Sequence, residues 1–239
     1  MGRFAAVLNA LYVCAGVALF VTGEAPVVAP GVDFLGNKFA RAWSGWKFSG
    51  CLYMSLVNFG LDLRFASAFV MLPYIYFDYY AIQDAEHWTP LCWSFIAAEV
   101  LTLATALTGN LKVGGTVNAL YVLAGVALFT TGEAPVVAPG VDFLGDKFSM
   151  AWAGWKFSGC LYFALVNLGA HPDLATFLAM IPYCAFDVFA VLDKAHWTPL
   201  AGSFVVLDGL AGVFALMAYT SSGAGKKAKS GASKKGKAK

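Results

Sequence analysis

Six ionisable residues stand inside long apolar stretches of this chain: Lys47, Asp78 and Glu99, then Lys156, Asp187 and Asp208. A charge at the centre of a membrane helix costs roughly 2.5–3.5 kcal/mol on insertion scales, so each is a functional candidate. The chemistry open to them is proton or ion handling by the carboxyls, with the lysines balancing charge or holding an anion. The second three follow the first at a constant offset of 109 residues, with Asp208 in place of Glu99. An acid is therefore kept at a costly depth in both places, on a shorter arm in the second. Asn58 and Asn167 belong with them. Spacings of four and eleven return close to one azimuth of a helix, so Lys47, Cys51 and Asn58 share a face, as do Lys156, Cys160 and Asn167. Such a polar stripe is expected in the interior of a bundle.

Depth suggests partners. Lys47 stands about five residues into its helix, and Asp78 about four from the end of the next. At 1.5 Å per residue both lie roughly 6–8 Å from the same surface. A Lys47–Asp78 pair, and Lys156–Asp187 in the second set, is the natural expectation. Its plain reading is glue between helices, with lysine also able to snorkel to the interface. Glu99 is deeper, at about 14 Å by the same rise, and more isolated. For it and Asp208, a packed carboxyl and one that handles a proton or ion both stay open. Pro73 and Pro182 each free a carbonyl inside a helix and are candidate kinks, more often packing features than hinges.

What positions these residues is a duplication. Residues 9–108 return without a gap as 118–217, and the stretch 22–36 (TGEAPVVAPGVDFLG) is unchanged at 131–145. WKFSGCLY (46–53) returns at 155–162, and HWTPL (87–91) at 196–200. Repeats come first because missing them miscalls the fold. The composition is 59% hydrophobic and 13% charged, with a mean hydropathy of +0.68. Soluble domains carry roughly 25% charged residues, so this surface is built for lipid.

Four spans fit each copy, at approximately 4–21, 42–60, 65–82 and 90–108, then 113–130, 151–169, 174–191 and 199–219. About 20 apolar residues cross a bilayer as a helix, and backbone groups in lipid must be satisfied internally. The expected fold is an all-α integral membrane protein. Its eight transmembrane helices form a tandem duplication of a four-helix unit, at 1–109 and 110–219, followed by a disordered lysine-rich tail, 220–239. The first span is not read as a cleaved signal, because the same run recurs at 118–129. An even number of spans gives both units one orientation, a parallel repeat with a pseudo-two-fold along the membrane normal, unlike an inverted repeat. Four spans with a long first outer loop is similar in layout to small four-helix membrane families such as the DoxX-like group. No motif carries over from that likeness, and it implies no activity.

Seven lysines fall in the last fourteen residues, which leaves nine basic against fourteen acidic residues in the body. Lysine-rich loops mark the cytosolic side, so the tail places both termini in the cytosol. Lys226, Lys227, Lys229, Lys234 and Lys235 would meet anionic lipid headgroups. The final KGKAK also fits the lysine pattern of endoplasmic-reticulum retrieval. No basic patch with interleaved aromatics serves nucleic acid.

On the outer face, the long loops carry Glu24, Asp33, Glu133 and Asp142, and are available to a protein partner. An interfacial turn is expected from about Asp33, through Phe34, Leu35, Phe39 and Trp43. In the shorter HWTP connections, Thr89 suits an N-cap and Pro90 the first turn, while Trp88 is expected among the lipid headgroups. His87 and His196 lie there near Asp84, Glu86 and Asp193, but only one acid recurs, so no metal site is assigned. The five cysteines lack metal or redox spacing and read as reduced, buried thiols. No P-loop, GxGxxG, HExxH or GxSxG occurs, and no cofactor is indicated. Three functions remain: a transporter or channel-like protein for a small ion or solute, a non-catalytic scaffold or accessory subunit, and, with least support, an enzyme acting on lipid or quinone.

Overall fold

The computed structural model describes residues 2–223, and these are all helical apart from their loops. The tail lysines lie outside the described residues. In chain order the elements are α1 (Gly2–Thr22), α2 (Lys38–Phe59), α3 (Leu63–Gln83) and α4 (Trp93–Leu107), the last entered through a 3-10 turn at Pro90–Cys92. Then come α5 (Leu111–Thr131), α6 (Lys147–Asn167), α7 (Pro172–Leu192), a second 3-10 turn at Pro199–Ala201, and α8 (Gly202–Ser221). Local chemistry sets these limits. Asn37 caps α2 by accepting from the Ala40 N–H, and Asp146 caps α6 by accepting from Phe148. Thr89 and Thr198 cap the 3-10 turns, each followed by proline at the first position. Both α3 and α7 continue past Pro73 and Pro182 without a break.

Consecutive helices pack side by side, α8 closes on α1, and α2 lies against α6 across the middle. Burial follows that plan. Fifteen of the 22 residues of α2 are buried, and sixteen of the 21 in α6. In α4 only Glu99, Thr102 and Ala106 are buried. Six helices are long and apolar enough to cross a membrane, and α2 and α6 are the two outside that set. Their place explains it. A helix shielded by protein on most sides needs no apolar face for lipid, so these two carry Ser, Gly, Lys and Asn.

Phe4 rests on Phe214 with ring centroids 4.4 Å apart, so the start of α1 and the end of α8 share one end of the bundle. The loops 23–37 and 132–146 share the other end with both HWTP turns. Each long loop folds back on itself: Phe34 N–H donates to the Gly23 carbonyl at 2.9 Å, and Phe143 does the same to Gly132. Gly23 and Gly132 have φ of 80° and 81°, a conformation for which glycine is the default. The loops then cross between the halves. Thr198 donates through its N–H to Val28 O and through its hydroxyl to Val27 O, and Thr89 does likewise to Val137 and Val136.

Two local expectations change. The helix α2 starts at Lys38, so Phe39 and Trp43 are helical, and both are buried with Phe34 beneath the loop. Trp88 and Trp197 are 7% and 6% exposed, hence not at a lipid interface. The cause is the loop clamp, which folds each HWTP turn inward and seats its tryptophan on Trp43 and Trp46, or on Trp152 and Trp155.

Candidate functional site

Neighbouring residues on a helix point about 100° apart, and on α2 that angle divides two partners between two halves of the molecule. Trp46 faces α3 of its own half and donates its indole N–H to Asp78 Oδ1 at 2.7 Å. Lys47 points across to α7, where its Nζ donates to Asp187 Oδ1 at 3.2 Å. On α6, Trp155 donates to Asp187 Oδ1 at 2.7 Å, and Lys156 crosses to Asp78 Oδ1 at 3.5 Å. Each aspartate oxygen thus receives a tryptophan from its own half and a lysine from the other. The expected Lys47–Asp78 and Lys156–Asp187 pairs are replaced by crossed ones, because the azimuth of Lys47 follows the α2–α6 contact and not the α2–α3 contact. Depth alone could not tell the two apart.

The fourth-helix acids complete the two clusters unequally. Asp208 Oδ2 lies 4.0 Å from Lys47 Nζ. Glu99 forms no ion pair within 4.0 Å among the described residues, and its Oε2 is buried without a hydrogen-bond partner. Lys47 thus meets two carboxyls and Lys156 only one, with Asp78 Oδ2, Asp187 Oδ2 and Asp208 Oδ2 also unpartnered by hydrogen bonds. All six side chains are 3% exposed or less. The lysines lie over aromatic faces: Lys47 Nζ is 3.8 Å from the Trp155 ring centroid, and Lys156 Nζ 3.6 Å from that of Trp46. A cation desolvated over an aromatic face gains about 2 kcal/mol or more.

Between the clusters the helices nearly touch. A Cβ added at Gly50 would lie 3.3 Å from the Gly159 Cα, with the Tyr183 hydroxyl closer still at 2.6 Å. Further along, Asn58 Nδ2 donates to Thr176 Oγ1 at 2.8 Å, and Asn167 Nδ2 to the Tyr53 hydroxyl at 2.9 Å, while Asn167 Oδ1 accepts from Ser67 at 3.2 Å. Lys47 and Asn58 thus both reach α7, and Lys156 and Asn167 both bring α6 onto α3 or its neighbour Tyr53. The crossed Lys–Asp pairs, the Trp–Asp bonds and the glycine contact are answered 109 residues away, in the manner of a two-fold dimer, whereas the Asn167–Tyr53 bond and the Lys47–Asp208 contact have no counterpart.

Toward the loop end each cluster adjoins a cavity. One, about 130 Å³, is lined by Lys156, Tyr121, Phe95 and three tryptophans of the first half, Trp43, Trp46 and Trp88. The other, about 110 Å³, is lined by Lys47, Tyr12, Phe204, Trp152, Trp155 and Trp197, the counterparts at the same offset.

The remaining sequence candidates are apart from this interior. Glu24, Asp33, Glu133 and Asp142 are exposed on the long loops, where Asp33 and Asp142 accept from the N–H groups two and three residues on. His87 Nδ1 is 2.8 Å from Asp84 Oδ2 and stacks on Phe39; His196 does the same with Asp193 and Phe148. Asp84, Glu86 and His87 bring ligand atoms within 4.8 Å of one another, but Ala195 stands where the counterpart of Glu86 would be, so the group does not recur in the second half. All five cysteines are free; Cys51, Cys92 and Cys160 are buried as expected, whereas Cys14 is exposed and Cys184 half-buried.

Sequence reasoning missed Tyr12 and Tyr121, the tryptophan donors, and the glycine crossing. For the tryptophan donors and the glycine crossing the unchanged WKFSGCLY was the signal, since it holds the tryptophan, the lysine and the glycine in one run of eight, while Tyr12 and Tyr121 lie outside it. Comparison with family models, curated proteins and solved structures finds no match for this chain.

Proposed function

We propose that this is a multi-pass membrane protein of eight spans, formed by two like-oriented four-helix units, that moves a proton or small cation through paired interior sites. The observation that carries the reading is the crossed lysine–aspartate pair, repeated in both halves, with a second buried acid, Glu99 or Asp208, on the fourth helix of each. One lysine can neutralise one carboxylate, so the second acid in each cluster is left to exchange a proton or to hold a cation. Burial without full hydrogen bonding is costly, and retaining two such oxygens in each half argues for use. In this reading both termini face the cytosol, and the tail lysines, Lys226 to Lys235 among them, hold anionic lipid.

Reconstituted vesicles test it. With an imposed pH gradient, the wild-type protein should dissipate the gradient or drive cation uptake, and Glu99→Gln with Asp208→Asn should reduce the rate at least tenfold. The double variant must still elute as the wild type does in detergent. Equal rates in a folded variant would overturn the proposal.

A second reading, a scaffold or accessory subunit, is favoured by one observation. The two identical outer loops are clamped by Thr89 and Thr198 and hold Val27 and Val136 exposed at equivalent places. Two equal rigid surfaces suit one symmetric partner. A stable larger assembly retained in mild detergent would favour this reading, and a lone chain counts against it.

A further inference from the structure

Arg41, on the first turn of α2, has no counterpart in the second half, where position 150 of α6 is methionine. Its Nη2 donates to the Tyr76 hydroxyl at 2.7 Å, and its guanidinium lies 3.9 Å from the Tyr80 ring centroid. The two tyrosine hydroxyls are 3.2 Å apart. Ala185 and Phe189 stand at the equivalent places on α7, so this group occurs once. Lys38, three residues earlier and exposed, donates to the Gln83 carbonyl at 3.3 Å. Among the described residues, neither Arg41 nor Lys38 has a carboxylate within 4.0 Å. Asp84, just past α3, is taken up by His87 at 2.8 Å. Arg41 Nε is buried, so the donors toward the outside are on the two terminal nitrogens, which make one bond between them.

Below this group runs an apolar track. Phe65, Phe69, Leu72 and Tyr76 are all exposed, and spacings of four, three and four put them on one face of α3. At 1.5 Å per residue they extend about 16 Å along the helix, about half of a hydrocarbon core roughly 30 Å thick. Arg41 stands about 4.5 Å along α2 from its loop end, at headgroup depth, where tyrosine also gathers. A polar group above and an apolar track one leaflet deep below match the shape of a phospholipid. The guanidinium fork suits phosphate oxygens. Two cations without acid partners favour net negative charge, and the ammonium of a zwitterionic headgroup would face like charges.

We propose that Arg41, Lys38 and Tyr76 bind the phosphodiester headgroup of one anionic phospholipid, with an acyl chain along Leu72, Phe69 and Phe65. The site lies at the loop end of the bundle and on the first half alone. It rests on the chain lying in a bilayer and is independent of ion movement.

A phosphatidylglycerol with a diazirine in its acyl chain tests it, at low mole fraction in phosphatidylcholine nanodiscs holding the full chain. After photolysis, labelled peptides are located by mass spectrometry. The helix α7 is the internal control, since Leu174, Leu178 and Ile181 repeat the apolar face without the cation. Label on α3 should exceed that on α7 about tenfold or more, the effect of charged hydrogen bonds. Arg41→Met should bring α3 down to the level of α7. Methionine already fills this place in α6; if the variant still fails to fold, Tyr76→Ala, which copies Ala185, should cut the difference about threefold or more. A diazirine-bearing phosphatidylcholine should label the two helices alike, and added inorganic phosphate should not displace the phosphatidylglycerol label. Equal label on α3 and α7, a difference that survives Arg41→Met, the same difference with phosphatidylcholine, or displacement by inorganic phosphate would each overturn the proposal, the last by assigning the anion to solution. No label on any apolar helix would overturn the membrane reading with it.

Discussion

Lys47 donates to Asp187 at 3.2 Å and leaves Asp78, the acid of its own half, to Trp46 and Lys156. The exchange makes each half necessary to the other's buried charge. Breaking a buried pair by removing one partner typically costs 3–5 kcal/mol, because an uncompensated charge stays behind. Lys47→Met alone should therefore destabilise by about that amount, and Lys47→Met with Asp187→Asn should recover much of it. Combining Lys47→Met with Asp78→Asn should recover nothing and add a second penalty. Thermal unfolding in detergent, read by near-ultraviolet circular dichroism, distinguishes the two double variants; equal recovery in both would mean that the pairs are not crossed.

The glycine crossing gives an independent test of how tightly the halves meet. A methyl at Gly50 would stand 2.6 Å from the hydroxyl of Tyr183, itself fully buried, and 3.3 Å from backbone of α6. Neither neighbour has free space to yield. Overpacking of this kind costs typically 1–3 kcal/mol, so Gly50→Ala should lower the unfolding midpoint, and Gly159→Ala should do the same through Tyr74. Gly202→Ala, with nothing within 4 Å, is the control and should leave the midpoint unchanged.

How much of this was legible beforehand depends on what a repeat can and cannot carry. The element order, the caps at Thr89 and Thr198 and six of the eight expected spans follow from local pattern and agree with the helices seen, while α2 and α6 are helical but fall outside the set apolar enough to cross a membrane. The limits of α2 were less legible, since Phe39 and Trp43 read equally well as interfacial anchors when the overlying loop is unknown. Partner choice was not legible at all. Lys47 lies at the right depth for Asp78 and for Asp187 alike, because a duplicated chain places both acids at the same height. Only the azimuth separates them, and that is settled by which helix face meets its copy. Trp88 was misplaced for a related reason: its inward turn depends on hydrogen bonds from Thr89 to a loop 47 residues away.

That clamp predicts a crosswise effect on dynamics. Thr198→Val keeps the shape of the side chain but removes the hydroxyl that donates to Val27 O at 2.7 Å. It also removes the oxygen that caps the Leu200 N–H of its own turn, and loss of each such bond costs about 0.5–1.5 kcal/mol, enough to raise local opening several-fold. Amide exchange should accelerate in the loop 23–37, which belongs to the other half, and stay unchanged in 132–146. Thr89→Val should show the reverse pattern. Faster exchange confined to the mutated half would mean that the loops do not cross.

Placement of the two ends is the final test, since it separates like-facing halves from inverted ones. Val27 and Val136 are 61% and 62% exposed and occupy equivalent places on the long loops, at the bundle end opposite Gly2 and Ser221. With the five native cysteines replaced by serine or alanine, Val27→Cys and Val136→Cys should both react with a membrane-impermeant maleimide added to one side of sealed vesicles. A cysteine placed in the lysine tail should react only from the other side. Two halves facing opposite ways would instead label Val27→Cys and Val136→Cys from different sides. That result would be incompatible with the direct bonds from Thr198 to Val27 and from Thr89 to Val136, since each long loop must share a membrane face with the turn it holds.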